Sequence, residues 1–230
     1  MITILKADDR GLTEHDWLES RHSFSFGEFF DPERMGFRTL RVLNDDRVAP
    51  GKGFPMHGHR DMEIVSFVAK GEMQHEDSLG NGSVIQPGEV QRMTAGSGIK
   101  HSEWNPSTEK PLHLIQIWFL PRSQSLEPSY EQGAYDVEAA RQNWVVLAAQ
   151  NGGVVKIDQD AVLAVTQTRT GEKRSLEYDP GRAGYLFVVS GSIRFHGNEL
   201  AKGDAAKVED ESRLEFESLM DSQILAFDLA

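Results

Sequence analysis

The sequence predicts an all-β protein made of two tandem β-barrel or jelly-roll units with little helix. Short β-branched and aromatic segments recur along the chain, Gly, Pro, Asn and Asp separate them, and an imperfect repeat relates the two halves. The segments are FRTLRVL (37–43), EIVSFVA (63–69), LHLIQIWF (112–119), WVVLAA (144–149), AVLAVTQT (161–168), GYLFVV (184–189) and ILAFDL (224–229). Their lengths and composition suit strands over helices. The best helix candidate, EQGAYDVEAARQ (131–142), is short and interrupted by Gly133.

The segment LPRSQSLEPSY (120–130), with Pro121 and Pro128, reads as a connection. The expected division is residues 1–130 as a metal-binding unit and 131–230 as a metal-free one. In the repeat, Glu63 to Met93 parallels Gly184 to Val208. Each copy has an apolar strand, a turn at Gly71 or Gly191, a second strand, a polar turn, and a pair Gly88-Glu89 or Gly203-Asp204. Seven of the eight histidines precede residue 114, leaving only His196 in the second copy. That asymmetry places the chemistry in the first unit.

Composition narrows the chemistry. The chain has 230 residues and no cysteine, so disulfides, thiolate metal sites and cysteine nucleophiles are excluded. Acidic residues outnumber basic ones 36 to 24, giving a formal charge of -12 without a basic cluster, so direct nucleic-acid binding is not expected. No apolar run approaches the roughly 20 residues of a spanning helix, and MITILKADDR lacks the pattern of a signal peptide. A cytoplasmic monomer away from the membrane is expected. Neither G-x-G-x-x-G, a P-loop nor G-x-S-x-G is present.

His57 and His59 in FPMHGHRDMEI are two residues apart, as are His101 and Glu103 in GIKHSEWN. In a strand this spacing puts both members of a pair on one face. Two neighbouring strands would then direct three nitrogens and one carboxylate at a single ion, with positions left for water, substrate or dioxygen. The donors suit zinc, iron, copper, manganese, cobalt or nickel. Glu63 shares the phase of His57 and His59 if the strand is unbroken, as a fifth ligand or an acceptor for a ligand histidine. Asp61 shares it too and is expected at a bend or the surface. His75 is a candidate pocket residue; His113, Gln116 and Trp118 are expected in core or rim packing. His15, His22 and His196 are expected to be structural or exposed. Phe24, Phe26, Phe54, Met56 and Phe67 are candidates for an apolar wall, although core packing is the ordinary fate of each.

At these residues the sequence resembles the pirin family, and most closely its bacterial quercetinase-like members within the cupin superfamily. HSFSFGEFFDPERMGFRTLRVLNDD resembles the family's N-terminal signature, GKGFPMHGHRDME its first metal motif and TAGSGIKHSEWNPS its second. The resemblance implies a bicupin in which His57, His59, His101 and Glu103 hold one divalent transition metal, iron foremost. It assigns Glu103 in preference to Glu63, which departs from the wider cupin pattern. Gly58 stands where many relatives have proline, and the ligand spacing is intact. The implied reaction is that of a quercetin 2,3-dioxygenase: dioxygen opens the central ring of a flavonol and carbon monoxide leaves. Glu103 would accept the hydroxyl proton, and a small planar phenol with dioxygen would be the substrates. The alternative the family offers is a metal- or redox-responsive regulator acting through a protein partner.

Overall fold

A computed structural model describes residues 1–230, nearly all of which lie in strands and the turns between them. Two pairs of sheets account for the chain, each a seven-stranded sheet packed on a four-stranded one. In the first pair the seven strands run, in spatial order, Ser129–Ala134, Glu89–Thr94, Glu63–Lys70, Leu112–Phe119, Leu40–Val48, Leu18–His22 and Gly11–His15. Its four-stranded partner is Gly53–His59, Ile99–Trp104, Met73–Asp77 and Gly82–Ile85. The second pair repeats the plan, with Ala183–Ser190, Ser222–Leu229 and Ala161–Thr168 at the centre of its large sheet. Pairing is antiparallel throughout except where Val145–Ala149 meets Val155–Lys156.

The repeat read from sequence is present in three dimensions. Gly71 and Gly191 both sit at φ +83° where the chain passes from the large sheet to the small one, not inside a hairpin, and a Cβ on either would press into backbone, 2.7 Å from the Pro111 carbonyl oxygen or 2.3 Å from that of Asp221. Only glycine suits both the angle and the contact.

Alternation of side chains along the large sheets divides the core. One face of the first carries Val65, Phe67, Ile115, Ile117 and Phe119, which pack against Tyr185, Phe187, Leu225 and Phe227 of the second in a 27-residue cluster joining the two units. The opposite face looks into the interior of its own unit. In the second unit that interior is apolar, with Leu186, Val188, Ile193, Phe195, Phe216 and Ile224 among its members. In the first it holds only two small apolar groups, one around Met73 and Leu114 and one around Ile64 and Met93. Buried polar side chains occupy the rest, including His22, Asn44, Asp46, Ser66, His101, Glu103 and Gln116.

Strand pairing crosses the division expected at residues 130 and 131. Ile2–Leu5 pairs with Ala205–Val208 in the second unit's sheet, and Ser129–Ala134 pairs with Glu89–Thr94 in the first. Each segment supplies the edge of a large sheet, where unpaired backbone groups would otherwise remain. Gly133 therefore lies in a strand. The helix is confined to Val137–Gln142, where Asp136 caps it by accepting from the Ala139 amide at 2.9 Å. No helix is long and apolar enough to cross a membrane.

Candidate metal centre

The H-x-H and H-x-E pairs lie on adjacent antiparallel strands, Gly53–His59 and Ile99–Trp104, with His101 directly opposite His57. A register shift between His101 and Glu103 moves Glu103 opposite Phe54. On its other edge Ile99–Trp104 pairs with Met73–Asp77, which sets His75 opposite Glu103. His57, His59 and His101 form one group of possible ligands whose donor atoms lie within 4.8 Å of one another. Glu103 does not join that group; it forms a second with His101 and His75, whose donor atoms are as close together.

The three-histidine group fits a metal. His59 Nε2 and His101 Nε2 are 3.0 Å apart, close enough for both nitrogens to reach one ion at about 2.1 Å. His57 Nδ1 bonds to the Pro55 carbonyl at 2.7 Å; donating its proton there leaves Nε2 free to coordinate. Burial, followed by the nearby His101 and His57, pushes the His59 imidazole down to about 4. Burial, followed by His57 and His75, pushes that of His101 down to about 3. Both rings are thus neutral at pH 7, the form a metal requires. His101 Nδ1 is buried without a hydrogen-bond partner.

Glu103 is buried and held from the large sheet. Its Oε2 accepts from the Gln116 side-chain amide at 2.8 Å and its Oε1 from Ser66 Oγ at 3.1 Å. His75 is fully buried, 3.4 Å from Asp77 Oδ2 and 3.2 Å from the Gln91 amide nitrogen, with its ring stacked on Tyr130 at 4.8 Å.

The histidines open into a cavity of about 220 Å³. Trp118 stands against His59 with ring centroids 4.9 Å apart, and Phe26 meets Trp118 edge-on at 5.3 Å. Phe54 also lines the space, edge-on to Trp17 at 5.3 Å. Of the five residues considered for an apolar wall, Phe26 and Phe54 occupy it, Phe24 and Phe67 belong to the core between units, and Met56 is exposed.

The far side of the cavity is polar. His22 Nδ1 lies 2.9 Å from Asn44 Oδ1, its Nε2 lies 2.9 Å from Thr13 Oγ1, and Ser20 Oγ donates to Asp46 Oδ1. Burial pushes the Asp46 carboxyl up to about 7 despite that hydrogen bond. His15 and His22, expected to be structural or exposed, both line the cavity, as do Gln116 and Trp118, expected in core or rim packing. His113 instead bonds Asp45 at 2.7 Å, and His196 lies exposed at a turn.

Glu63 is not part of the centre. Gly53–His59 ends in the small sheet, the chain turns through Asp61 at φ +49°, and Glu63–Lys70 begins in the large sheet, so the shared phase does not carry across. Glu63 faces the other unit, where its carboxylate accepts from the Asp158 amide at 2.7 and 2.9 Å and from the Gln159 amide at 2.9 Å.

Comparison with known proteins places this geometry in a family. The Pirin model matches residues 6–119, and the model described as the quercetinase C-terminal cupin domain matches residues 144–229. The quercetin 2,3-dioxygenase of Escherichia coli (strain K12) is 39% identical over 229 residues, spanning 100% of this chain and 99% of that protein. The chain belongs to the pirin family. Within it, the crystal structure of YhhW from Escherichia coli superposes with a TM-score of 0.94 at 38% identity, covering 100% of this chain and 98% of that one. The same bacterial pirin in complex with nickel(II) gives a TM-score of 0.93 at 38% identity, covering 100% and 99%. This pirin-family chain therefore has two cupin-like units, of which the first carries a cluster of candidate metal ligands, and it is homologous over its whole length to quercetin 2,3-dioxygenases.

Proposed function

We propose that this chain is a metal-dependent dioxygenase of the quercetin 2,3-dioxygenase type. The observation that carries the reading is a group of three histidines, two of them held neutral, opening into a cavity with aromatic walls beside a buried carboxylate. The homologous Escherichia coli enzyme, named for this activity, supports the same substrate class.

His57, His59 and His101 would hold the metal, with Glu103 as the fourth donor or as the base beside it. When bound, a divalent transition metal, iron first, would acidify the flavonol 3-hydroxyl and couple the resulting electron-rich enolate to dioxygen. Nickel(II), present in the YhhW complex, is a second candidate. Glu103 accepts the 3-hydroxyl proton, and Ser66 and Gln116 keep its oxygens in place for that transfer. Trp118, Phe26 and Phe54 pack against the flat rings and exclude water. We also read each pair of sheets as a jelly roll, the first enclosing the reaction chamber and the second bracing it.

The test is oxygen uptake by metal-loaded protein given quercetin, against protein stripped of metal. Uptake in the loaded form alone supports the reading. Tight metal retention without uptake for iron, copper, manganese, nickel or cobalt overturns it.

A further inference from the structure

Buried polar side chains outside the candidate metal ligands need an explanation, because burying them costs free energy unless they are paired or used. The interior face of the first large sheet carries such a set. Strand register aligns Ser66, Gln116, Asn44 and His22 in one row, and Leu114, Asp46 and Ser20 in the next. The first row begins at the groups that hold Glu103 and ends at Thr13. The corresponding face of the second unit carries Leu186, Val188, Ala206, Ile224 and Ala226. Two units of one plan thus differ where the first has a cavity and the second a solid core. Folding alone does not call for polar groups there.

Asp46 is the acidic member of the set and has bonding capacity left over. It is 3% exposed and lines the cavity. Ser20 donates to its Oδ1, and no hydrogen bond reaches its Oδ2. Its strand lies beside that of Gln116, and it sits two residues along from Asn44, the partner of Gln116. Strand spacing of about 4.8 Å across and about 6.7 Å along puts its Cα roughly 8 Å from that of Gln116. A planar ligand anchored beside Glu103 would have to extend beyond its first ring to meet it.

Resting on the dioxygenase reading of this cavity, we propose that Asp46 is a substrate-binding residue that takes a hydrogen bond from a phenolic hydroxyl on a ring remote from the metal, and so selects polyhydroxylated flavonols over those bearing only the 3-hydroxyl. A buried polar group left unpaired by a ligand lacking that hydroxyl penalises the ligand, which is how a site built to bond a hydroxyl rejects analogues without it. Position and an open acceptor support the assignment; the raised carboxyl affinity for protons, set by burial, is consistent with it because a neutral carboxyl can also donate.

The experiment is anaerobic titration of the metal-loaded protein with quercetin and with 3-hydroxyflavone, read from flavonol absorbance, followed by admission of oxygen. Wild type is expected to bind quercetin about tenfold or more tightly than 3-hydroxyflavone, the scale of one hydrogen bond to a buried carboxyl. Asp46→Leu should collapse that ratio while metal content by elemental analysis is unchanged; Asp46→Ala serves if the leucine variant does not fold. Equal binding of the two flavonols by wild type overturns the proposal, as does a ratio that survives both substitutions. Selective binding that depends on Asp46, with no oxygen consumed, upholds the assignment and sinks only the dioxygenase reading.

Discussion

Glu63→Ala separates two roles that one carboxylate cannot fill at once. In this structure Glu63 is an anchor between the units: it is 1% exposed and accepts from the backbone amides of Asp158 and Gln159, almost a hundred residues away. Alanine would strand both amides at the seam and remove the acceptor of the Thr94 hydroxyl, 3.3 Å from Glu63 Oε1. An unsatisfied buried donor costs about 1–3 kcal/mol, and the Asp158 amide is only partly buried. Burial also raises the Glu63 carboxyl, so its removal recovers part of the cost of holding a charge there. The net loss is about 2–4 kcal/mol, or a fall of about 4–16 °C in Tm for a chain of this size. Calorimetry alongside elemental analysis reads both quantities. The expected result is a lower Tm with full metal stoichiometry, and Glu63→Gln, which keeps one acceptor oxygen, should fall between. An unchanged Tm with metal lost would refute the reasoning and return Glu63 to the metal.

Other substitutions probe the remaining parts. His101→Ala should remove most bound metal, whereas His196→Ala, at an exposed turn in the other unit, should keep it; elemental analysis of both decides whether the centre is in the right unit. Glu103→Gln should lower kcat by about 10²–10⁴-fold if the carboxylate carries the substrate proton, with flavonol binding measured separately; unchanged turnover rejects that role. Asp45 sits at about 2 against an ordinary 3.8, because burial, which raises it, is outweighed by His113, Arg10 and Arg47. A depressed carboxyl adds stability that is present above 3.8 and lost as pH falls toward 2, here about 2 kcal/mol, so Asp45→Asn should flatten the acid limb of a denaturation series across that window. Gly191→Ala, with its Cβ 2.3 Å from a carbonyl oxygen, should cost about 2–4 kcal/mol, and Gly181→Ala, in open space at φ +87°, about 1 kcal/mol; denaturant midpoints compare them.

The candidate metal ligands were legible because the i, i+2 spacing survives folding wherever both residues share one strand. His57 with His59, and His101 with Glu103, satisfy that condition. Glu63 shows where it fails, since Asp61 at positive φ carries the chain from one sheet to another and resets the phase. His75 reaches Glu103 only through strand pairing, which spacing along the chain does not encode. Asn44, Asp45 and Asp46 were opaque for another reason. Both faces of the large sheet are buried, one in the unit interior and one against the other unit, so Leu40–Val48 lacks the inside–outside alternation that would assign Asp46 to the cavity and Asp45 to the opposite face. Ile2–Leu5 is similarly hidden: its partner strand begins some two hundred residues later, and nothing local announces the pairing.

The most direct test of a dioxygenase at the three-histidine centre is the carbon monoxide balance. Metal-loaded protein is mixed with quercetin without oxygen, oxygen is admitted, and flavonol loss, oxygen uptake and carbon monoxide are followed together. The account predicts one equivalent of oxygen consumed and one of carbon monoxide released per flavonol, with both signals lost in His59→Ala. Flavonol oxidation without carbon monoxide, or undiminished release from His59→Ala, would contradict it.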